Sequence, residues 1–197
     1  MKTILFIDGQ NFLGKLKHVF ESEKQPVPTW NTFDFRSLFG RVLEGLVIDE
    51  YRIYFAKLHQ HPDTLKKSRE LIEERRFLKK QLEVSGFIYI VSGNVRANSA
   101  KDTHGRETIV FKEKGVDTKI VTDLVVAACD KLMKTVIIAS SDSDLQPAVK
   151  ELKNRGIELI YLGFEIDPNR GLSYTTDRTI LIRNSEVLRL ENTPKLL

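Results

Sequence analysis

Five aspartates stand where their neighbours could put them to chemical use: Asp8, Asp117, Asp123, Asp142 and Asp144. The densest group is Ser140-Ser141-Asp142-Ser143-Asp144, two carboxylates and three hydroxyls in five positions, directly after the apolar run 135–139. A helix cap needs one such side chain, and the surplus asks for a functional reading. Asp8 ends a similar run, Thr3 to Ile7, and is followed by Gly9-Gln10-Asn11. Asp117 follows Lys114-Gly115-Val116, and Asp123 comes six residues later. At about 3.6 residues per turn these two lie on different faces of one helix, approaching a common point from different heights.

Four or five acids drawn into one cleft repel one another and must take up protons unless a cation compensates them. With only four histidines and one cysteine in the chain, oxygen ligation favours Mg²⁺ or Mn²⁺ over Zn²⁺. Such an ion keeps waters, can ionise one as a nucleophile, and steadies the leaving oxygen of a phosphodiester. The chemistry is nucleic-acid hydrolysis. Each residue also has a structural alternative. Asp117 can cap a helix, Asp123 can be an exposed helix position, and Asp144 can complement a helix dipole. Asn11 is either an ordinary helix-start residue or the amide that orients Asp8 and touches substrate. Ser140 and Ser141 suit hydrogen bonding at a strand end better than nucleophilic attack, since no histidine lies beside them in sequence.

The runs that stop at Asp8 and Ser140 read as buried parallel strands, each delivering its carboxyl end to a loop and a helix start. Open α/β sheets keep their chemistry there. Strands are predicted over 3–7, 50–57, 86–91, 135–139 and 156–163, and helices over 12–20, 35–43, 63–84, 117–128 and 146–155. This alternation argues for a parallel sheet with right-handed crossovers. Residues 94–112 are expected to form an extended hairpin with a mobile tip at His104-Gly105. Beyond Asp167-Pro168 the pattern predicts a short helix over 171–177, a last strand over 179–182 and a closing turn or helix over 185–190.

The net charge of +4 permits a polyanionic partner without demanding one. On the 63–84 helix, Leu65, Leu71, Ile72, Leu78 and Leu82 form the expected core stripe, leaving Arg75, Arg76 and Lys79 among the basic residues on the other faces. Arg96, Lys101, Arg106, Lys112 and Lys114 outnumber the acids of the hairpin. Both elements are candidate phosphate contacts, ion-paired solvated faces being the alternative. No apolar run approaches the roughly 20 residues of a membrane span, and Asp8 interrupts the first one too early for a signal peptide. A cytoplasmic protein is expected. The single cysteine, Cys129, leaves no internal disulfide or cysteine-based zinc site, and its apolar run, Leu124 to Cys129, predicts a buried thiol.

Taken in order, Phe6-Ile7-Asp8-Gly9-Gln10-Asn11, Lys114-Gly115-Val116-Asp117 with Asp123, and Ser140-Ser141-Asp142-Ser143-Asp144-Leu145 with Pro147 resemble the NYN domain. NYN domains are the LabA-like branch of the PIN-like nuclease superfamily, and the resemblance spans about residues 3 to 163. It implies a three-layer α/β/α PIN-like fold with a central, mostly parallel sheet. It also implies metal-dependent endonuclease activity on RNA, with Asp8, Asp117, Asp123 and Asp142 carrying Mg²⁺ or Mn²⁺ and Asn11, Ser140 and Asp144 supporting them. Ser141 stands where the family usually has glycine and Leu145 where it usually has an aromatic; neither change removes a ligand. The expected organisation is a nuclease domain over 1–163 with a C-terminal extension, 164–197, packed on it. The expected substrate is RNA, single-stranded before double-stranded, with DNA as a second candidate; a homo-oligomer is compatible with all of this.

Two other classes compete. One is an RNA-binding or regulatory module that retains a slow or inactive nuclease pocket. The other is a phosphatase of the haloacid dehalogenase type, against which Asp8-Gly9-Gln10 counts because it lacks the second acid of Asp-x-Asp.

Overall fold

A strand that is apolar on both faces has to lie in the middle of a sheet. In β1 (Lys2–Asp8), Ile4, Leu5, Phe6 and Ile7 are each at most 1% exposed. The computed structural model describes residues 1–60, 65–101 and 107–190, with only the backbone for 96–101 and 107–113. After β1 come α1 (Gly9–Ser22), α2 (Phe35–Val42), β2 (Glu50–Lys57), α3 (Leu65–Val84), β3 (Phe87–Lys101) and β4 (Glu107–Lys114). The chain continues through α4 (Val116–Cys129), β5 (Met133–Ala139), α5 (Gln146–Asn154), β6 (Glu158–Phe164), α6 (Arg170–Thr175), β7 (Arg178–Ile182) and α7 (Asn184–Leu188).

The sheet order is β4-β3-β2-β1-β5-β6-β7. Six strands run parallel, and β4 pairs antiparallel with β3 at one edge. From β1 the chain winds outward to β3 and β4, then returns through α4 to place β5 on β1's other side. The strand order therefore reverses between β1 and β5, the switch point at which open α/β sheets form a crevice.

Successive strand side chains point to opposite faces, and the two faces make two cores. Leu5, Ile7 and Ile137 pack with α1, α2, α7 and the end of α3. Ile4, Phe6, Val136 and Ile138 pack with α4, α5 and Leu172 of α6. The result is an α/β fold of the PIN-like kind, a parallel sheet with helices on both sides.

Three expectations need correction in detail. The strand expected over 86–91 does not stop before the hairpin. It runs on unbroken into the β3–β4 ladder, Asn94 pairing with Lys114 and Lys101 with Glu107; His104-Gly105, like Arg106, lies outside the described residues. Leu65 is 45% exposed, so the core stripe of α3 is carried by Leu78 and Leu82. Cys129 is exposed rather than buried: with Val126, three residues earlier and 49% exposed, it lies on the outer stripe of α4, while Leu124, Ala127 and Ala128 turn inward. Among the described residues, no helix is long and apolar enough to cross a membrane.

Candidate functional site

β1 and β5 end side by side, Ile7 pairing with Ala139, so Asp8 and Ser140 are the next pair along. The alternation that sends Ile4 and Phe6, and Val136 and Ile138, toward α4 carries Asp8 and Ser140 to that same face. Asp8 is only 6% exposed. One of its oxygens caps α1 by accepting from the backbone N–H of Asn11 at 3.1 Å. The other accepts from Ser140 Oγ at 3.4 Å, and Ser140 Oγ in turn accepts from the backbone N–H of Asp142 at 3.1 Å. Ser140 thus joins the two acids that the sequence leaves 134 residues apart.

The loop after β5 is pinned from two sides. Asn11 Oδ1 accepts from both the backbone N–H and the Oγ of Ser141, each at 3.0 Å. From the far side, Asn169 Nδ2 donates to the Ser141 carbonyl at 2.8 Å. Asp142 then caps the following turn, accepting from the backbone N–H of Asp144 at 2.8 Å, and buried Leu145 anchors that turn in the core. Asn169 was missed in the sequence. It caps α6 by accepting from Leu172 N–H at 2.9 Å, and its own N–H donates to the hydroxyl of fully buried Tyr161 at 2.9 Å. The available signal was an asparagine two residues after Asp167, ahead of a predicted helix.

Asp117 enters from α4. Gly115, at φ +95°, precedes that helix in the left-handed region a glycine favours, and Asp117 occupies its first turn. Burial holds the Asp117 carboxyl above the ordinary carboxylate range, and the negative charges of Asp142 and Asp144 push it further. Among the described residues it makes no salt bridge. Asp123 is placed differently: Oδ1 accepts from Lys119 Nζ at 2.6 Å and Oδ2 from the Tyr54 hydroxyl at 3.1 Å. Its charge is matched locally, and the Tyr54 phenol is driven upward by its own burial and then by Asp123.

The structure therefore brings together Asp8, Ser140 and Asp142 through hydrogen bonds, and Asp117, Asp142 and Asp144 through charge. Asp123 instead joins Tyr54, the β2 residue that pairs with Asp8. Among the described residues no three His, Cys, Asp or Glu side chains are gathered closely enough to hold an ion by themselves. The donor set still fits a Mg²⁺-like ion, which takes one or two carboxylates and keeps most of its water. The mutual repulsion at Asp117 is the imbalance such an ion relieves.

Of the basic residues, Arg76 and Lys79 sit on α3 paired with Glu73 at 2.9 Å and Glu83 at 3.7 Å, and Lys114 is exposed just before α4. Arg75 turns inward, its guanidinium carbon 3.9 Å from the centre of the Phe55 ring. The side chains of Arg96 and Lys101, and all of Arg106, lie outside the described residues.

A parallel sheet with helices on both faces and acids at its switch point is of the kind found in PIN-like α/β domains. A solved structure shares the architecture across 92% of this chain and 93% of its own: VPA0982, a protein of unknown function from Vibrio parahaemolyticus RIMD 2210633, at TM-score 0.57 and 16% identity. Within that class the chain belongs to the NYN domain family, whose model matches residues 2–183. NYN domains fall within the PIN-like nuclease superfamily, whose substrates are nucleic acids and whose members generally use divalent metal ions. A curated relative, "Uncharacterized protein y4oD" of Sinorhizobium fredii (strain NBRC 101917 / NGR234), is 37% identical over 67 residues, covering 34% of this chain and 30% of that protein. The chain thus spans less than a third of that relative's length.

Proposed function

We propose that the protein is a divalent-cation-dependent endoribonuclease that hydrolyses phosphodiester bonds of RNA, single strands in preference to duplexes. The observation that supports this most is Asp117, crowded by Asp142 and Asp144 beside the β1–β5 crevice with no salt bridge to a described residue. Asp8, Asp117 and Asp142 would hold Mg²⁺ or Mn²⁺, with Asp144 adding negative charge nearby. When bound, the cation offsets charge building on the phosphate and acidifies water.

The chain's own residues do the rest. Ser140 and Asn11 fix the loop that presents Asp142, so the acids are oriented before substrate arrives. Asp117 would accept the proton of the attacking water at a carboxylate oxygen. Asp123 works through its neighbours: by holding Lys119 and Tyr54 it fixes α4 against β2 and so positions Asp117. Arg76, Lys79 and Lys114 supply positive charge for the backbone. A cytoplasmic setting accords with the one unpaired cysteine.

A digestion panel of labelled single- and double-stranded RNA and DNA, with Mn²⁺, Mg²⁺ or EDTA, tests the reading. Cation-dependent internal cleavage of single-stranded RNA supports it; no cleavage of any strand with either ion overturns it. The second reading, a binding module without turnover, draws support from the spacing of the acids, no three of which are clustered among the described residues. RNA binding unchanged by EDTA, with no cleavage, would favour that reading.

A further inference from the structure

Next to the acid crevice, on the opposite face of the sheet, a cavity of about 520 Å³ opens between the first turns of α1 and the middle of α3. It begins two residues from Asp8, at Gln10, and its apolar walls include Leu13, Leu71 and Trp30. Its volume is in the range of cavities that enclose a small organic ligand. Leu71 and Arg75 of α3 line this space.

Arg75 is the polar feature of the wall. Its guanidinium sits over the Phe55 ring, and Nη2 donates to Gln10 Oε1 at 3.1 Å. Nη1 is buried and has no hydrogen-bond partner among the described residues. Phe55 is fully buried, and its ring lies so close to Gly9 that a Cβ there would collide with it. The cavity thus offers an aromatic wall at Trp30, a cation at Arg75 and a carboxylate acceptor at Glu74.

We infer that this cavity receives one unpaired nucleotide of the substrate strand, its base against Trp30 and its phosphate or carbonyl oxygen beside Arg75. The inference rests on the ribonuclease reading and extends it: a base can enter only when it is not paired, so the cavity selects single strands. Stacking on an aromatic face with an arginine alongside is how sequence-tolerant single-strand sites work.

Trp30 is the only tryptophan in the chain, so its fluorescence reports directly on occupancy. The four ribonucleoside 5′-monophosphates are titrated in EDTA, where no cleavage occurs, into wild type and two variants. Gly14 lines the cavity and a Cβ there meets nothing within 4 Å; Gly14→Leu fills the space while improving a helix. Gly40→Leu, at an equally open position on α2 away from the cavity, is the control. The expected result is saturable quenching by at least one nucleotide, weakened about tenfold by Gly14→Leu and unchanged by Gly40→Leu. Affinity for an unpaired RNA oligomer should fall by a similar factor. The inference is overturned if no nucleotide quenches saturably, if Gly14→Leu binds as well as wild type, or if benzoate competes as effectively as the nucleotides. Nucleotide binding by a protein that cleaves nothing retains the pocket and removes the nuclease reading; cleavage with no response from Trp30 does the reverse.

Discussion

Asp117 and Asp123 sit six residues apart on one helix, and their surroundings could hardly differ more. Asp123 has an ammonium on one oxygen and a phenol on the other. Asp117 has neither among the described residues; the like charges of Asp142 and Asp144 act on it, and it is half-buried. A carboxylate whose charge is already answered serves structure. One left facing other carboxylates costs stability unless something else binds there. On the proposed reading the same helix carries a strut and a site residue, and sequence spacing alone does not say which is which.

The largest expected effect breaks the site and leaves both halves of that contrast folded. Asp8→Asn keeps a side chain able to cap α1 but removes a charge, so Mn²⁺-dependent cleavage of single-stranded RNA should fall by about 10³-fold or more, with an unchanged circular dichroism spectrum. Next comes the contrast itself. Asp117→Asn should lower kcat by about 10²-fold, as expected for loss of a general base, whereas Asp123→Asn should cost about tenfold at most and show mainly as a lower Tm. Equal losses in kcat would erase the distinction between the two acids.

Smaller effects sharpen it. Asn169→Ala removes a cap and the bond to the Ser141 carbonyl, and should destabilise by about 1–2 kcal/mol in urea unfolding. The smallest effect concerns pH. Between the ordinary carboxylate value and the raised one, native Asp117 keeps a proton that the unfolded chain has lost, so stability falls as pH rises through that window. In EDTA at pH 7, Asp117→Asn should therefore melt higher than wild type. The two curves should converge below the ordinary carboxylate value of 3.8. A variant that melts lower at pH 7 would mean that Asp117, like Asp123, is answered.

The fold was legible because β1 and β5 are apolar on both faces and stop abruptly at an acid or a serine, a pattern set by chain-local physics. The helix start after Asp8 was legible for the same reason, the acid being a cap that accepts from the residue three ahead. What stayed hidden depends on distant residues meeting. The hydroxyl of Ser140 bridging Asp8 to Asp142, the salt bridge that answers Asp123, and Asn169 reaching back 28 residues to Ser141 leave no periodic trace. Cys129 misled because an apolar run on a helix need not face inward along its whole length. Arg75 reads as one more surface cation, and only the Phe55 ring beneath it and the cavity beside it mark it out.

The central claim is that Asp8, Asp117 and Asp142 together hold a hard divalent ion. The most direct measurement follows free Mn²⁺ by electron paramagnetic resonance as it is titrated into wild type and into the Asp8→Asn, Asp142→Asn double variant. Saturable uptake by wild type that disappears in the folded double variant is the predicted result. Equal uptake by both, or none by wild type, would contradict it.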